Sequence, residues 1–273
     1  MGELLTPIKL LAHRLSGGFP LSRTDIEALS EIAGHVTAFP KSGIIVDQGE
    51  KSATVWLLGA GFARRQRQLP DGRRQIIALM LPGELSEKGP MLPFGSPDAI
   101  VAASDVTAQP LDRRKLWHLA ESHPRILESL FYEELNRHAM SREWIVLLGQ
   151  RTARERVAYF FYETYARLNA MGLAGGASFE LPLTQTDLGD IVGLSAVHVN
   201  RVVKILRDEN LIDWTDKVVH LPDPGALAKI AGFNPEIDEL AKEFKTRASR
   251  SDWTSSQENS PVRRSPDRHS ADP

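Results

Sequence analysis

The chain has 273 residues, of which 42% are hydrophobic and 25% are charged, and its formal net charge is −2 at neutral pH. These values are typical of a globular protein large enough for two domains. The absence of cysteine excludes disulfides, cysteine-ligated zinc and iron–sulfur clusters, and no apolar run is long enough to cross a membrane.

The first part of the chain predicts two short helices followed by a β domain. Residues 4–16 favour a helix, and Ser22 is placed to cap a second helix that runs to about Ala33. From His35 to Leu111, short alternating runs are separated by glycines at positions 43, 49, 59, 61, 72, 83 and 95. Regular turns between short strands predict a jelly-roll-like domain.

Five arginines surround the Pro70-Asp71-Gly72 turn of this β domain. They are Arg64, Arg65, Arg67, Arg73 and Arg74. Like charges on one hairpin are typical of a solvated edge that discourages pairing with strands of other chains. The alternative interpretation is a contact with RNA polymerase or with an anionic ligand.

A helical pattern follows over residues 112–149. Its main helix starts after Pro124 and carries a broken apolar stripe. We expect this helix to pair with its copy in a homodimer, through Leu127, Leu130, Trp144 and Leu148. The alternative is a helix that packs only on its own β domain. Another helix is predicted from Ala153 to about Met171.

Two short helices broken at a glycine are predicted between Thr184 and Leu206. Thr184 and Asp187 have the spacing of a capping box, Gly193 suits a left-handed helix end, and Ser195 can cap the next helix. The core-facing stripe of the second helix consists of Val199, Val202, Val203 and Leu206. This is the pattern of a helix-turn-helix with an outward polar face.

The segment from Asn210 to Leu221 alternates polar and apolar residues around Thr215-Asp216-Lys217, as a β-hairpin does. A helix-turn-helix followed by a hairpin indicates a winged helix. The alternative is an ordinary pair of helices packed beside a hairpin.

The outward face of the second helix supplies the candidate DNA contacts. Arg201 can donate two hydrogen bonds to guanine O6 and N7, and Val197 can contact a thymine methyl group. His198 and Asn200 flank this face, and each either contacts a base or has a capping or packing role. Phosphate contacts are expected from Thr184, Ser195, Lys204 and Lys217.

The charge of this region is segregated along the chain. Residues 184–222 contain four basic and six acidic side chains, so the region is not basic as a whole. Between Ser195 and Arg207, however, there are three basic residues and no acidic one. A local positive face of this kind, doubled in a dimer, suffices for phosphate contacts.

After about Lys245 few apolar residues remain, so residues 246–273 are expected to be disordered. A weaker alternative is that the tail adds sliding contacts to DNA through Arg263 and Arg264.

Several of these runs resemble the Crp/Fnr family of bacterial transcription regulators. The run from Thr184 to Ser195, with His-Val-Asn-Arg at 198–201, is similar to the branch that has this tetrapeptide in its recognition helix. Residues 57–64, 69–78 and 81–84 resemble the sensor domain of the family, and residues 151–160 resemble the helix that leads into its DNA-binding domain.

The resemblance covers roughly residues 20–233 and implies an α+β architecture. It places a jelly-roll-like, cyclic-nucleotide-binding-like β domain at 20–122, a long dimerisation helix at 123–150 and a winged helix-turn-helix at 151–233. It also implies a base-contacting arginine at the position of Arg201.

The sensor domain departs from the cyclic-nucleotide binders of this family, which hold the ribose with a Gly-Glu-Leu glutamate and the phosphate with an arginine. Here Pro82-Gly-Glu84 matches an earlier turn of the family, and residues 85–92 lack the motif. Near the expected arginine, the run Gly95-Ser-Pro-Asp-Ala99 offers an aspartate that would repel a phosphate. We therefore expect no binding of cyclic AMP.

Together these observations predict a homodimeric, sequence-specific transcription regulator that binds a two-fold symmetric promoter site. The expected partners are double-stranded DNA, a second copy of the chain and RNA polymerase, with no cofactor, no metal, no membrane association and a cytoplasmic location. The alternatives are a cyclic-nucleotide-responsive or haem-responsive regulator of the same family and a cupin-like enzyme. Haem would need two histidines, or a histidine and the N-terminus, as ligands, and no spacing among the eight histidines singles out a pair. The cupin alternative rests on His35 with Asp47 or Glu50, without a His-x-His partner.

Overall fold

The computed structural model describes residues 6–17, 19–86 and 96–233. The predicted disorder of residues 246–273, with Arg263 and Arg264, lies outside the described residues, as do residues 87–95 of the sensor segment. Along the described segments, no helix combines the length and the apolar character needed to span a membrane.

The β domain consists of two antiparallel sheets. Its strands are β1 (Thr37–Phe39), β2 (Ile44–Val46), β3 (Thr54–Ala60), β4 (Ala63–Gln68), β5 (Arg74–Met80), β6 (Ala99–Ala102) and β7 (Val106–Asp112). One sheet has the order β1-β7-β3 and the other β2-β6-β4-β5. Leu58, Met80 and Ile100 belong to the buried cluster of this domain. The predicted β class of this region is confirmed.

Four helices accompany the β domain: α1 (Pro7–Leu15), α2 (Arg23–Glu31), α3 (Arg113–Ser122) and α4 (Pro124–Gln150). The predicted cap of α2 is confirmed, since Ser22 and Asp25 form a reciprocal capping box. Helix α4 has 27 residues and starts at a proline, which is favourable at the first helical position.

The C-terminal part is a winged helix. It comprises α5 (Ala153–Ala170), β8 (Ser178–Glu180), α6 (Gln185–Val192), α7 (Ala196–Asp208), β9 (Asp213–Thr215), β10 (Val218–His220) and α8 (Pro224–Ala231). The predicted hairpin forms between β9 and β10, and Asp216 and Lys217 both have positive φ, as a type I′ turn requires. The sheet order β8-β10-β9 adds a third strand that the sequence pattern did not indicate.

The two parts share one hydrophobic core. Ile76 and Leu79 of β5 belong to the same buried cluster as Phe160 of α5 and Ile191 of α6. The β4–β5 hairpin therefore packs directly against the helix-turn-helix.

Candidate nucleic-acid interface

The helix-turn-helix forms where the sequence predicts it. The Thr184 side chain accepts a hydrogen bond from the Asp187 backbone at 3.1 Å, and the Asp187 carboxylate accepts one from the Thr184 backbone at 3.0 Å. Gly193 ends α6 with φ +67°, a conformation that glycine adopts without steric cost. Ser195 then caps α7 by accepting a hydrogen bond from the His198 backbone.

The inner face of α7 anchors this helix in the core. Its predicted stripe is fully buried, as shown by Val199, Val202, Val203 and Leu206. The turn that leads into α7 also lies close against α6, because a Cβ added at Gly189 would overlap the Leu194 backbone oxygen. Burial of the stripe fixes which side chains of α7 point outward.

The outward face of α7 is exposed, as the predicted DNA contacts require. Val197 is 74% exposed although it is apolar, and His198, Arg201 and Lys204 are also exposed. Among the described residues, no ion pair or hydrogen bond occupies the side chains of Arg201 and Lys204. Both cations are therefore available for an external partner.

Asn200 has a protein partner that sequence reasoning missed. Its side-chain amide donates a hydrogen bond of 3.0 Å to the Gln185 side chain at the start of α6. Gln185 has no apolar or capping signature, so only the packing of α6 against α7 reveals this contact. The bond leaves the Asn200 side-chain oxygen available as an acceptor.

Three of the four predicted phosphate contacts lie at helix N-termini or in the wing turn, whereas Lys204 lies within α7. Thr184 and Ser195 are exposed at the N-termini of α6 and α7, where backbone N–H groups and the helix dipole favour an anion. Lys217 is exposed in the turn of the wing. Arg207, by contrast, donates a hydrogen bond of 3.0 Å to the Trp214 backbone oxygen, which ties α7 to the wing.

Two of the hairpin arginines hold α6 instead of facing solvent. Arg64 pairs with Asp187, and Arg74 donates to Asp190 Oδ2 from Nε at 2.9 Å and from Nη2 at 2.5 Å. Arg74 Nη2 also lies 2.9 Å from Asp187 Oδ1. Only 11% of the Arg64 side chain and 25% of the Arg74 side chain are exposed, so these two do not belong to a solvated edge.

These contacts lower the pKa of Asp187. Burial alone would raise that pKa, but the hydrogen bonds from Thr184 and the charge and hydrogen bond of Arg64 outweigh burial. The Asp187 carboxylate therefore stays ionised, with one oxygen in the cap and the other on the arginines.

The other three arginines have separate surroundings. Arg65 donates to the Ser86 backbone oxygen. Arg67 pairs with Asp98 at 2.7 Å, and Arg73 pairs with Asp71 at 2.7 Å. Arg73 is the most exposed of them, at 78%. The five arginines thus do not form one common surface.

The predicted dimer residues on α4 divide into two groups. Leu127 and Leu148 are exposed, whereas Leu130 is buried and Trp144 packs edge-to-face on Tyr159 at 5.6 Å. Phe131, Leu135, Ile145 and Val146 are further exposed apolar residues of α4. The helix therefore packs on its own chain along one side and offers an apolar surface along another.

In the sensor domain, the two carboxylates near the expected nucleotide motifs are both engaged within the chain. Glu84 is 2% exposed and pairs with Arg14 at 2.7 Å and with Arg167 at 2.6 Å. Asp98 accepts a hydrogen bond of 2.8 Å from Arg67 Nε. Asp98 is therefore neutralised by a cation that the sequence pattern did not connect with it.

The residues of the cupin alternative are not arranged as a metal site. His35, Asp47 and Glu50 are exposed, and Glu50 accepts a hydrogen bond from the Asp47 backbone. Within residues 6–17, 19–86 and 96–233, no group of three or more His, Asp or Glu side chains has an arrangement that could hold a metal ion.

Two family models match the chain. Residues 36–123 match the cyclic nucleotide-binding domain, and residues 155–230 match the Crp-like helix-turn-helix domain. These ranges fall on the β domain and on the winged helix described above.

Similar proteins cover most of the chain. The transcriptional activatory protein AadR of Rhodopseudomonas palustris is 31% identical over 206 residues, which are 75% of this chain and 84% of AadR. The transcriptional activator protein FnrL of Cereibacter sphaeroides is 28% identical, over 70% of this chain and 78% of FnrL. The structure of FixK2 from Bradyrhizobium japonicum superimposes with a TM-score of 0.64 at 26% identity, over 72% of this chain and 96% of FixK2.

Proposed function

This chain belongs to the Crp/Fnr family of transcription regulators with a helix-turn-helix DNA-binding domain, and we propose that it acts as a homodimer on a two-fold symmetric promoter site. The half-site centres are about one helical turn apart, because two copies related by a two-fold axis place two recognition helices in successive major grooves. The observation that carries the proposal is the outward face of α7, where Arg201 and Lys204 are exposed and unpaired within the described residues.

In this proposal Arg201 reads one guanine in each half-site. Its guanidinium can donate in parallel to O6 and N7, which discriminates a G·C pair by about 1–3 kcal/mol. Val197 contacts a thymine methyl group, and His198 contacts a neighbouring base. Asn200 accepts from a base through its free oxygen while Gln185 holds its amide group.

The register of the protein on the DNA is set by phosphate contacts from Thr184, Ser195, Lys204 and Lys217. These contacts carry no sequence information, but they fix the orientation of α7 in the groove. The acidic residues of α6 do not oppose them, since Asp187 and Asp190 are paired with Arg64 and Arg74.

The homodimer forms along α4. The exposed apolar residues of α4 need a partner surface that buries them. The α4 helix of a second copy, related by the two-fold axis, supplies an identical apolar face. The surface consists of Leu127, Phe131, Leu135, Ile145 and Leu148.

The β domain of this chain does not respond to cyclic AMP. Glu84 is buried between Arg14 and Arg167, so it does not serve as the ribose-binding glutamate. Asp98 lies in the segment where cyclic-nucleotide binders of the family have their phosphate-binding arginine. Arg67, the nearby cation, is already paired with Asp98. Calorimetry with cyclic AMP and cyclic GMP tests this, and micromolar binding of either nucleotide would contradict it.

The remaining parts of the proposal follow from family membership. The protein regulates transcription in the cytoplasm without enzymatic activity and contacts RNA polymerase, and Arg73 is the most exposed arginine of the β4–β5 hairpin for that contact. Alanine at Arg73 should then reduce activation while DNA affinity is kept.

Arg201→Ala and Lys204→Ala, two changes on the same helix, test the assignment of base and phosphate contacts. Arg201→Ala should weaken binding to the true site by about 1–3 kcal/mol and leave random DNA almost unaffected. Lys204→Ala should weaken both and reduce the salt dependence of binding by about one unit of slope per half-site. Equal losses on both DNAs for Arg201→Ala would refute the base contact.

A further inference from the structure

A cavity of about 580 Å³ lies where the β domain, α4 and the DNA-binding part meet. Its lining comes mainly from β5, α4 and α5, and it includes Arg14 of α1 and Ile191 of α6. The volume is in the range of small-molecule sites in proteins. It is separate from Asp98, the residue near the expected nucleotide phosphate site.

Part of the cavity lining is apolar and aromatic. It includes Ile76 and Leu79 of β5, Trp144 of α4 and Phe160 of α5. Trp144 is fixed by its edge-to-face contact with Tyr159. These side chains suit the apolar body of a ligand, since burial of apolar area is the main favourable term in such sites.

The cavity lining also contains a cluster of charged residues. Glu84 accepts from Arg14 and Arg167, and Arg167 also pairs with Glu163 at 2.9 Å. Burial raises the pKa of Glu163, although the charge of Arg167 opposes this shift. The cluster therefore holds its carboxylates and guanidinium groups in direct ion pairs.

Arg137 has the fewest contacts of the arginines in this cluster. Its nearest carboxylate oxygen, Glu84 Oε2, lies 3.9 Å from Nη2, which is beyond hydrogen-bonding distance. Its Nε is buried without a hydrogen-bond partner. Burial lowers the pKa of Arg137, so an additional anion beside it would stabilise its charge.

We propose that this cavity binds a small amphipathic carboxylic acid, with the carboxylate on Arg137 and the apolar body against Trp144 and Ile76. A guanidinium can donate two parallel hydrogen bonds to a carboxylate. A doubly charged phosphate fits less well, because the carboxylates of Glu84, Glu133 and Glu163 also line the cavity. The inference goes beyond the proposed DNA recognition and does not depend on it.

The position of the cavity gives such a ligand access to both domains. It would contact β5, which also holds α6 through Arg74 and Gln75, and α5, which leads into the helix-turn-helix. The competing occupant is a second copy of the chain, because Ile145 and Leu148 of α4 are exposed and line the cavity as well.

Titration calorimetry on the full chain, without DNA, tests the site with 2-naphthylacetate and its neutral analogue 2-(2-naphthyl)ethanol. The acid should bind with a Kd below about 1 mM, as expected for a ligand of this size. The alcohol should bind about 10-fold more weakly, because it lacks the charge for Arg137. This comparison needs no variant and so does not depend on the folding of one.

Arg137→Gln should weaken binding of the acid by about 10-fold, and Arg142→Gln, an exposed arginine on the same helix, should leave it unchanged. Equal affinity for acid and alcohol, or an unchanged affinity in Arg137→Gln, would overturn the proposal. So would the absence of binding at 1 mM, or binding that appears only when dimerisation is abolished, since a second copy would then occupy the cavity. DNA affinity, measured separately, is not expected to change in Arg142→Gln.

Discussion

Replacing Asp187 with asparagine separates the two roles of its carboxylate. Oδ2 accepts hydrogen bonds from the Thr184 backbone and hydroxyl, at 3.0 and 2.8 Å, whereas Oδ1 accepts from Arg64 and Arg74. Asparagine has one acceptor oxygen and one NH2 group. It can keep the cap or the arginine contacts, and in either orientation its NH2 group faces donors.

The expected loss in the free energy of unfolding follows from the hydrogen bonds that Asp187→Asn weakens. A hydrogen bond to a charged group contributes about 1.5–3 kcal/mol, against about 1 kcal/mol for a neutral one. Two such bonds weaken in Asp187→Asn, and the partial exposure of Arg74 reduces its share. We expect a loss of about 2 kcal/mol in the free energy of unfolding.

Asp25→Asn is the matched control. Asp25 is the capping-box residue of α2 and is equally buried, with Oδ2 bonded to the Ser22 backbone and hydroxyl. In the part of the chain that the structure describes, no arginine pairs with it. Asparagine can therefore keep the cap there, and the expected loss is at most about 1 kcal/mol.

Urea unfolding followed by circular dichroism measures both variants against the wild type. The account requires a larger loss for Asp187→Asn than for Asp25→Asn. Equal losses would mean that Arg64 and Arg74 do not hold α6 in solution.

Three further predictions concern pH, the helix-turn-helix and the dimer. Because the folded pKa of Asp187 is lowered, its contribution is complete above the ordinary value of 3.8 and disappears as the pH falls through the lowered pKa. The stability difference between wild type and Asp187→Asn should therefore be constant from pH 7 to about 5 and vanish in stronger acid; a difference that grows on acidification contradicts the assignment. Gly189→Ala should destabilise the protein by more than about 1 kcal/mol in the same unfolding assay, because the added Cβ meets the Leu194 backbone oxygen. Gly149→Ala, where the added Cβ would enter open space, should instead stabilise α4 by about 0.5–1 kcal/mol. Ile145→Glu, at a position 70% exposed, should shift the protein from dimer to monomer in analytical ultracentrifugation while its circular dichroism is unchanged, and a persistent dimer would exclude this part of α4 from the interface.

Local signals made the helix-turn-helix predictable. The capping box at Thr184, the left-handed Gly193 and the cap at Ser195 all act within three or four residues, and each is found as predicted. Burial of the α7 stripe then follows from helical periodicity alone. The strand β8 was missed because its partner β10 lies far along the chain, whereas β9 and β10, which are equally short, flank a recognisable turn.

Contacts between distant segments could not be predicted in this way. Arg74 and Asp190 are 116 positions apart, and their pairing depends on how the DNA-binding part docks on the β4–β5 hairpin. The same holds for α4, where periodicity selected Leu130 and Trp144, but the chain's own packing covers both of them. A stripe shows which residues are apolar and not which neighbour buries them.

The central claim, that the chain reads a two-fold symmetric site through Arg201, can be tested in one measurement. The affinity of wild type and Arg201→Ala is determined for every single-base variant of a site selected by footprinting. The account predicts that Arg201→Ala loses discrimination at one G·C pair in each half-site, at mirrored positions whose half-site centres are about one helical turn apart. Loss of discrimination at no position, or at one position without a mirror partner, would contradict it.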